Sequence, residues 1–196
     1  MIELIKYAPA DKGQWNEMVR RSRNGTFLFN RDYMDYHAAR FQDCSFLVLK
    51  KNKLEAVLPG NRTGTAFFSH QGLTYGGVIS TDNIKAEDML EIFGFLNARL
   101  VQEGFSSVVY KPVPAIYHRM PAEEDLYALF RNNSKLIARQ ISSSILQINR
   151  MPFAELRMRG VRKATRCGVQ VQESDEYGVF WKILSDVLLV RHNATP

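Results

Sequence analysis

Between Arg150 and Gly168 the chain carries Arg150, Arg157, Arg159, Arg162, Lys163 and Arg166 against Glu155 alone. On a helix that begins near Pro152, steps of about 100° put Arg159, Arg162, Lys163 and Arg166 on one arc. Phe153, Leu156, Val161 and Ala164 fall on the opposite, packed arc. Like charges three and four residues apart repel one another. A helix that keeps them suits an anionic partner: phosphate, pyrophosphate, RNA or an acidic lipid surface. A solvated helix face is the plainer reading of the same residues. Arg157 stands amid the apolar arc, where its stem can lie along the surface with its head in water.

A second stretch, Phe68-Ser-His-Gln-Gly-Leu-Thr-Tyr-Gly-Gly-Val-Ile-Ser80, sets glycines and polar tips between apolar runs. No GK[ST] follows it, so it is not a phosphate-binding loop of the Walker kind, and it lacks the dinucleotide fingerprint. Gly76-Gly77 between apolar residues fits a bulged strand that something approaches closely. His70 and Tyr75 are then candidate substrate contacts; an ordinary capped hairpin explains the residues about as well. His37, His70, His118 and His192 have no metal-ligand spacing, so no metal is expected. No nucleophile elbow or Cys/His signature supports covalent catalysis.

The elements that must position these residues alternate. Asp11 can cap a helix bearing Trp15, Met18 and Val19, and Arg31 to Phe41 reads as a second helix with Tyr33, Tyr36, His37 and Phe41 to one side. Ser45–Leu49 and Leu54–Leu58 flank a turn at Lys50-Lys51-Asn52-Lys53 and form a hairpin. Ala66–Phe68 and Thr74–Ile79 are further strands. Met89, Phe93, Leu96 and Leu100 make one stripe on a helix over 84–103, capped by Asp82 or Asn83 and ended at Gly104. Val108–Tyr110 reads as a strand, and Ala122–Arg131 as a helix with Leu126, Leu129 and Phe130 inward. After a polar boundary at Ser134–Arg139 come a strand at Ile141–Ile148, the basic helix, a strand at Val169–Val171 and a helix from about Asp175 to Val190. This predicts an α/β chain, an α+β mixed sheet with residues 1–138 as one domain. Residues 139–196 then form the opening portion of a second, incomplete one, since two strands and two helices are too few to close a sheet.

With 45% hydrophobic and 23% charged residues over 196 positions, the chain has the balance of a globular protein with room for a core. Cys44 and Cys167 are far apart and read as reduced thiols. The N-terminus lacks a secretory pattern and no apolar run has membrane-spanning length, so a cytoplasmic location is expected.

Taken in order, "NGTFLFNRDYMDYHAARF", "LEAVLPGNR", "SHQGLTYGGVIS" and "RGVRKATRCGVQV" resemble the FemAB-like branch of the GNAT acyltransferase superfamily. The resemblance covers nearly the whole chain and implies a GNAT-like domain followed by the start of a second. Some relatives transfer amino acids from aminoacyl-tRNA to peptidoglycan precursors, and others look like N-acyltransferases of capsule or exopolysaccharide synthesis. It implies substrate-binding roles for Arg159, Arg162 and Lys163 and for Phe29, Asn30 and Tyr33, with acyl-CoA or aminoacyl-tRNA as donor. Arg157-Met-Arg-Gly160-Val-Arg162 matches the start of the [QR]xxGx[GA] loop whose amides hold the CoA pyrophosphate. It departs from that loop in having arginine at the small position, which puts the donor site outside these residues.

The expected function is therefore N-acyl or aminoacyl transfer to an amine of an anionic, phosphorylated small molecule or glycan precursor, with tRNA as a further partner. No residue stands out as the catalytic base. The alternative is a non-catalytic binding module for RNA or an anionic glycan. It is weakened because Phe153, the aromatic on the basic helix, lies opposite the cations, where no base could stack beside them.

Overall fold

The computed structural model describes residues 1–148 and 150–195, and the His37 side chain lies outside the described residues. The chain divides into two compact units, Met1–Ala138 and Arg139–Pro196.

The first unit runs β1 (Ile2–Lys6), α1 (Lys12–Arg21), α2 (Arg31–Met34), β2 (Gln42–Asp43), β3 (Phe46–Lys50), β4 (Lys53–Leu58), β5 (Asn61–Thr63), β6 (Ala66–Phe68), β7 (Ile79–Ser80), α3 (Ala86–Gln102), β8 (Ser107–Val109) and α4 (Glu124–Arg131). Two four-stranded sheets result, ordered β1-β3-β4-β7 and β2-β5-β6-β8. The chain passes between them through Cys44-Ser45 and Pro59-Gly60, where the Cys44 amide donates to the Gly60 carbonyl at 2.8 Å. Strand pairs are antiparallel except β6 with β8, whose parallel register needs the α3 crossover. The mixed α/β architecture expected from the alternation of elements is present.

Strand alternation sends side chains to two cores. Phe46, Val48, Ala56 and Leu58 pack against Met89, Ile92, Phe93 and Leu96 of α3 and Ala128 of α4. Their neighbours Leu47 and Val57 face Trp15, Met18 and Val19 of α1 with Leu28, Phe29 and Met34. Helices thus cover both faces of the β3–β4 hairpin, whose turn places Lys51 and Asn52 at φ 51° and 62°.

Several expectations are corrected. Arg31 to Phe41 is not one helix: α2 gives way to a 3-10 turn over Asp35–Arg40. Of Thr74–Ile79, only Ile79 lies in a strand, because the chain before it bulges away from its neighbour. Helix α3 starts at Ala86, where the Asp88 carboxylate accepts from the Lys85 amide at 2.8 Å, rather than at Asp82 or Asn83. Helix α4 buries Asp125 and Ala128 and leaves Leu126 and Phe130 exposed. Its orientation is set by polar pairing: partly buried Tyr110 donates to Asp125 Oδ2 at 2.8 Å and accepts from the Val78 amide at 2.7 Å. Loss of solvation raises the Asp125 carboxyl above its ordinary range. Strands β1, β2 and β5 are additions to the sequence reading.

In the second unit, α5 (Glu155–Arg166) and α6 (Tyr177–His192) form as expected. Ile141–Ile148 and Val169–Val171 are not strands, and no described residue after 138 is buried. A strand needs a hydrogen-bonded partner, and among the described residues neither segment has one.

Candidate functional site

Residues 25–32 leave α1 and fold back along it. The Trp15 indole donates to the Phe29 carbonyl at 2.7 Å, and the Asn16 carboxamide oxygen accepts from the Arg31 amide at 2.8 Å. These two bonds fix the segment against α1 and leave an open cleft of about 580 Å³. Asn16, Glu17, Arg20, Thr26, Phe27, Asn30, Asp32 and Arg119 line it together with small residues. The volume is within the range of small-molecule sites. Phe27 is 65% exposed on its wall and meets Tyr33 edge-on, ring centroids 5.4 Å apart. Among the residues the sequence singled out, Asn30 lines the cleft, Tyr33 braces its aromatic wall and Phe29 is buried beneath it.

The glycine-rich stretch enters from below. Ser69 pairs with Val109, and pairing resumes where Gly76 donates to the Lys111 carbonyl and bridges Pro112. The chain between, from His70 to Tyr75, is thrown out as a bulge. Gly76 and Gly77 are required here: a Cβ on Gly76 would lie 1.6 Å from the Ser69 carbonyl oxygen, and Gly77, at φ +91°, would collide with Tyr110. At the far end of the bulge Tyr75 reaches Thr26 in the cleft, its hydroxyl 3.4 Å from Oγ1, and stacks on Tyr117 with centroids 5.1 Å apart. Tyr75 is thereby brought to Thr26, beside the Phe29–Tyr33 segment, although it is itself nearly buried.

His70 sits at the near end of the bulge, in the left-handed region at φ +76° and 7% exposed. Such a conformation is uncommon outside glycine and needs support. The support is Gln71, whose amide donates to Asn61 Oδ1 and whose Oε1 accepts from Asn61 Nδ2, both at 2.8 Å. The ring packs on Phe41, and its buried Nδ1 has no hydrogen-bond partner among the described residues. Burial lowers its pKa to about 4, with Asp43 opposing and Arg31 adding to the effect, so the imidazole is neutral near pH 7. His70 does not line the cleft.

Arg31 is a buried charge that periodicity does not reveal, and it does not line the cleft. It is fully buried, its guanidinium carbon 3.4 Å from the Tyr7 ring centroid and 4.0 Å from that of Trp15, and it pairs with Asp43. Arg119 does line the cleft, and nothing in His118-Arg119-Met120-Pro121 marks it in sequence.

The remaining candidates, Arg159, Arg162 and Lys163, belong to α5 in the second unit and are exposed. Glu155 binds Arg162 through both oxygens at 2.9 and 3.1 Å and approaches Arg159 at 3.7 Å. The carboxylate that sequence sets against many cations is thus taken up by two of these three. The expected packed arc is exposed at Leu156 and Val161. Among the described residues no group of three His, Cys, Asp or Glu side chains could hold a metal ion, and both cysteines are free. No helix is long and apolar enough to cross a membrane, among the described residues.

No family model and no curated protein matches the sequence. Solved structures similar to this chain include a ribosomal-protein-alanine N-acetyltransferase from Brucella melitensis biovar Abortus 2308, at 11% identity and TM-score 0.46, covering 74% of this chain and 98% of that one. An aminoglycoside N-acetyltransferase in complex with CoA matches at 7% identity and TM-score 0.45, covering 74% and 94%. Glucosamine-6-phosphate N-acetyltransferase from Arabidopsis thaliana matches at 10% identity and TM-score 0.43, covering 74% and 98%.

Proposed function

We propose that the chain is an N-acyltransferase of the GNAT type, of the FemAB-like branch its motifs resemble, and that its first unit holds the amine-bearing acceptor. The observation that carries the reading is the bulge from His70 to Tyr75. It interrupts the one parallel strand pair described and delivers Tyr75 to a cleft of small-molecule size. Acyl transfer to an amine requires that the nitrogen be held without its proton and aimed at the carbonyl. Asn30, on the cleft wall, carries a carboxamide oxygen that can accept a hydrogen bond from such an amine and orient it. The acceptor we favour is a cell-envelope precursor of peptidoglycan, capsule or exopolysaccharide, and the donor acyl-CoA or aminoacyl-tRNA.

A CoA pyrophosphate finds no fitting cradle in two places where it might be sought. Arg157–Arg162 lies inside α5, whose amides from Met158 onward are spent on helical bonds. At the start of α3, Asp88 occupies the Lys85 amide and Glu55 accepts from Thr81 Oγ1 and Asn83 Nδ2, so the position is already anionic. Neither place is therefore the donor site, and what the first unit supplies in this reading is acceptor binding and orientation.

The test is transfer of radiolabelled acyl groups to a panel of amino sugars by the full chain, with acetyl-CoA in one arm and aminoacyl-tRNA in the other. Transfer with either donor is expected, and Asn30→Ala should lower kcat/KM by about tenfold, the scale of one lost hydrogen bond to a positioned group. No labelled product from either donor by folded protein would overturn the reading.

A further inference from the structure

A second, smaller cleft of about 300 Å³ is lined by Ala115, His118, Arg119, Met120, Pro121 and Glu123. Arg119 lines both clefts, so one guanidinium stands where they adjoin. Its position is fixed twice: its amide donates to the Arg23 carbonyl and its Nη1 to the Arg20 carbonyl, each at 2.7 Å. The other charges of the larger cleft are already matched. Arg20 is bound by Glu17 through two bonds at 2.7 and 2.6 Å, and Asp32 is bound by Lys12 at 2.7 Å. Arg119 makes no ion pair with a carboxylate among the described residues, and one guanidinium edge is left for a ligand.

We propose that Arg119 is the anion anchor of the acceptor site, binding a phosphate of a sugar phosphate or nucleotide whose ring lies against Phe27. The proposal deepens the acyltransferase reading and rests on its assignment of the cleft to the acceptor. A planar fork held at Nη1 by one backbone carbonyl, on a residue whose own amide is tied to another, meets two phosphate oxygens with less ordering left to do. Phe27 offers the same ligand an exposed aromatic face, held upright by Tyr33. The arrangement moves phosphate recognition from α5, where Glu155 already engages Arg159 and Arg162, to a concave site in the first unit.

The experiment is calorimetric titration of the full chain with inorganic pyrophosphate and with uridine diphosphate. Arg119→Ala should weaken both by about tenfold or more, the scale of a charge-assisted bond. Arg119→Lys, which keeps the charge, should recover only part of the loss. Phe27→Ala should weaken uridine diphosphate and leave pyrophosphate within about twofold, since only the nucleotide has a ring to stack. Arg162→Ala should leave both unchanged. Amide shifts at Thr26, Asn30 and Asp32 on addition of uridine diphosphate would locate the ligand, and melting curves of each variant would show that it is folded. Absence of binding, or equal affinity in wild type and a folded Arg119→Ala or Arg119→Lys, would overturn the proposal. Binding that depends on Arg119 in a protein without acyl transfer would instead sink the acyltransferase reading and leave the anion site standing.

Discussion

At the scale of single residues, His70 is the most constrained group of the candidate region. Two forces act on it. Its left-handed backbone disfavours most side chains, and its burial disfavours the charged ring. These can be separated by substitution. The folded pKa, about 4, lies below the ordinary value for histidine. Native-state stability from a neutral His70 is therefore complete above the unfolded pKa of about 6.5 and is lost as pH falls through the folded value. Melting temperatures measured from pH 8 to pH 4 should fall along that limb in the wild type and fall less steeply in His70→Asn. Asparagine tolerates the left-handed region, so His70→Asn should fold near neutral pH, whereas His70→Val should lose a further 1–2 kcal/mol or roughly that amount at every pH. Identical acid limbs in wild type and His70→Asn would mean that His70 does not titrate in this way. The buried Arg31 shows a different kind of residue effect, an ion stacked between Tyr7 and Trp15 with its Nε and Nη2 lacking partners among the described residues.

At the scale of elements, the bulge should be far less tolerant than the helix that follows it. A methyl on Gly76 meets the backbone carbonyl of Ser69, which cannot swing aside as a side chain would. Gly76→Ala should cost about 3 kcal/mol, the upper part of the range for overpacking, by forcing the strand off Lys111. Gly94 lies within α3 with open space around its missing Cβ, so Gly94→Ala should gain about 0.5–1 kcal/mol from helix propensity alone. Urea denaturation of both variants measures this contrast; a Gly76→Ala protein as stable as wild type would show that the strand can reseat. What sequence made legible follows the same division. The stripe of Met89, Phe93, Leu96 and Leu100 and the β3–β4 hairpin could be read because local period and turn chemistry govern them. The bulge was visible as Gly76-Gly77, but its partner, Lys111, lies across a crossover and leaves no local mark. Likewise Leu126 and Phe130 suggested the inner face of α4, and only the distant Tyr110 explains why Asp125 took that place. Asn30 and Tyr33 are singled out by the resemblance and Tyr75 by its glycine-rich surroundings, whereas Arg119 reaches the cleft through tertiary contacts that no spacing encodes.

At the scale of the whole molecule, the two units differ in what holds them. The first buries apolar side chains on both faces of its hairpin and pairs its strands into two sheets. In the second, helices α5 and α6 keep Leu156, Val161, Phe180 and Trp181 exposed, and no described residue is buried. Burial of apolar area is what offsets the loss of chain entropy on folding, so local opening should cost little in the second unit and much in the first. Trypsin has sites at Arg139, Arg150, Arg157, Arg159, Arg162 and Lys163 among others on one side of this divide and throughout the first unit on the other. Brief digestion of the native chain should cut the second unit first and leave a resistant product ending near Arg131 to Arg139. The tryptophans report the same difference without cleavage: Trp15 is fully buried and Trp181 is 48% exposed. Acrylamide should quench Trp181 readily, and a Trp181→Phe chain should keep blue-shifted emission that resists quenching. Equal resistance of residues 139–195 to trypsin, together with a shielded Trp181, would show that the second unit has a core of its own and that the stability of the chain is shared between both.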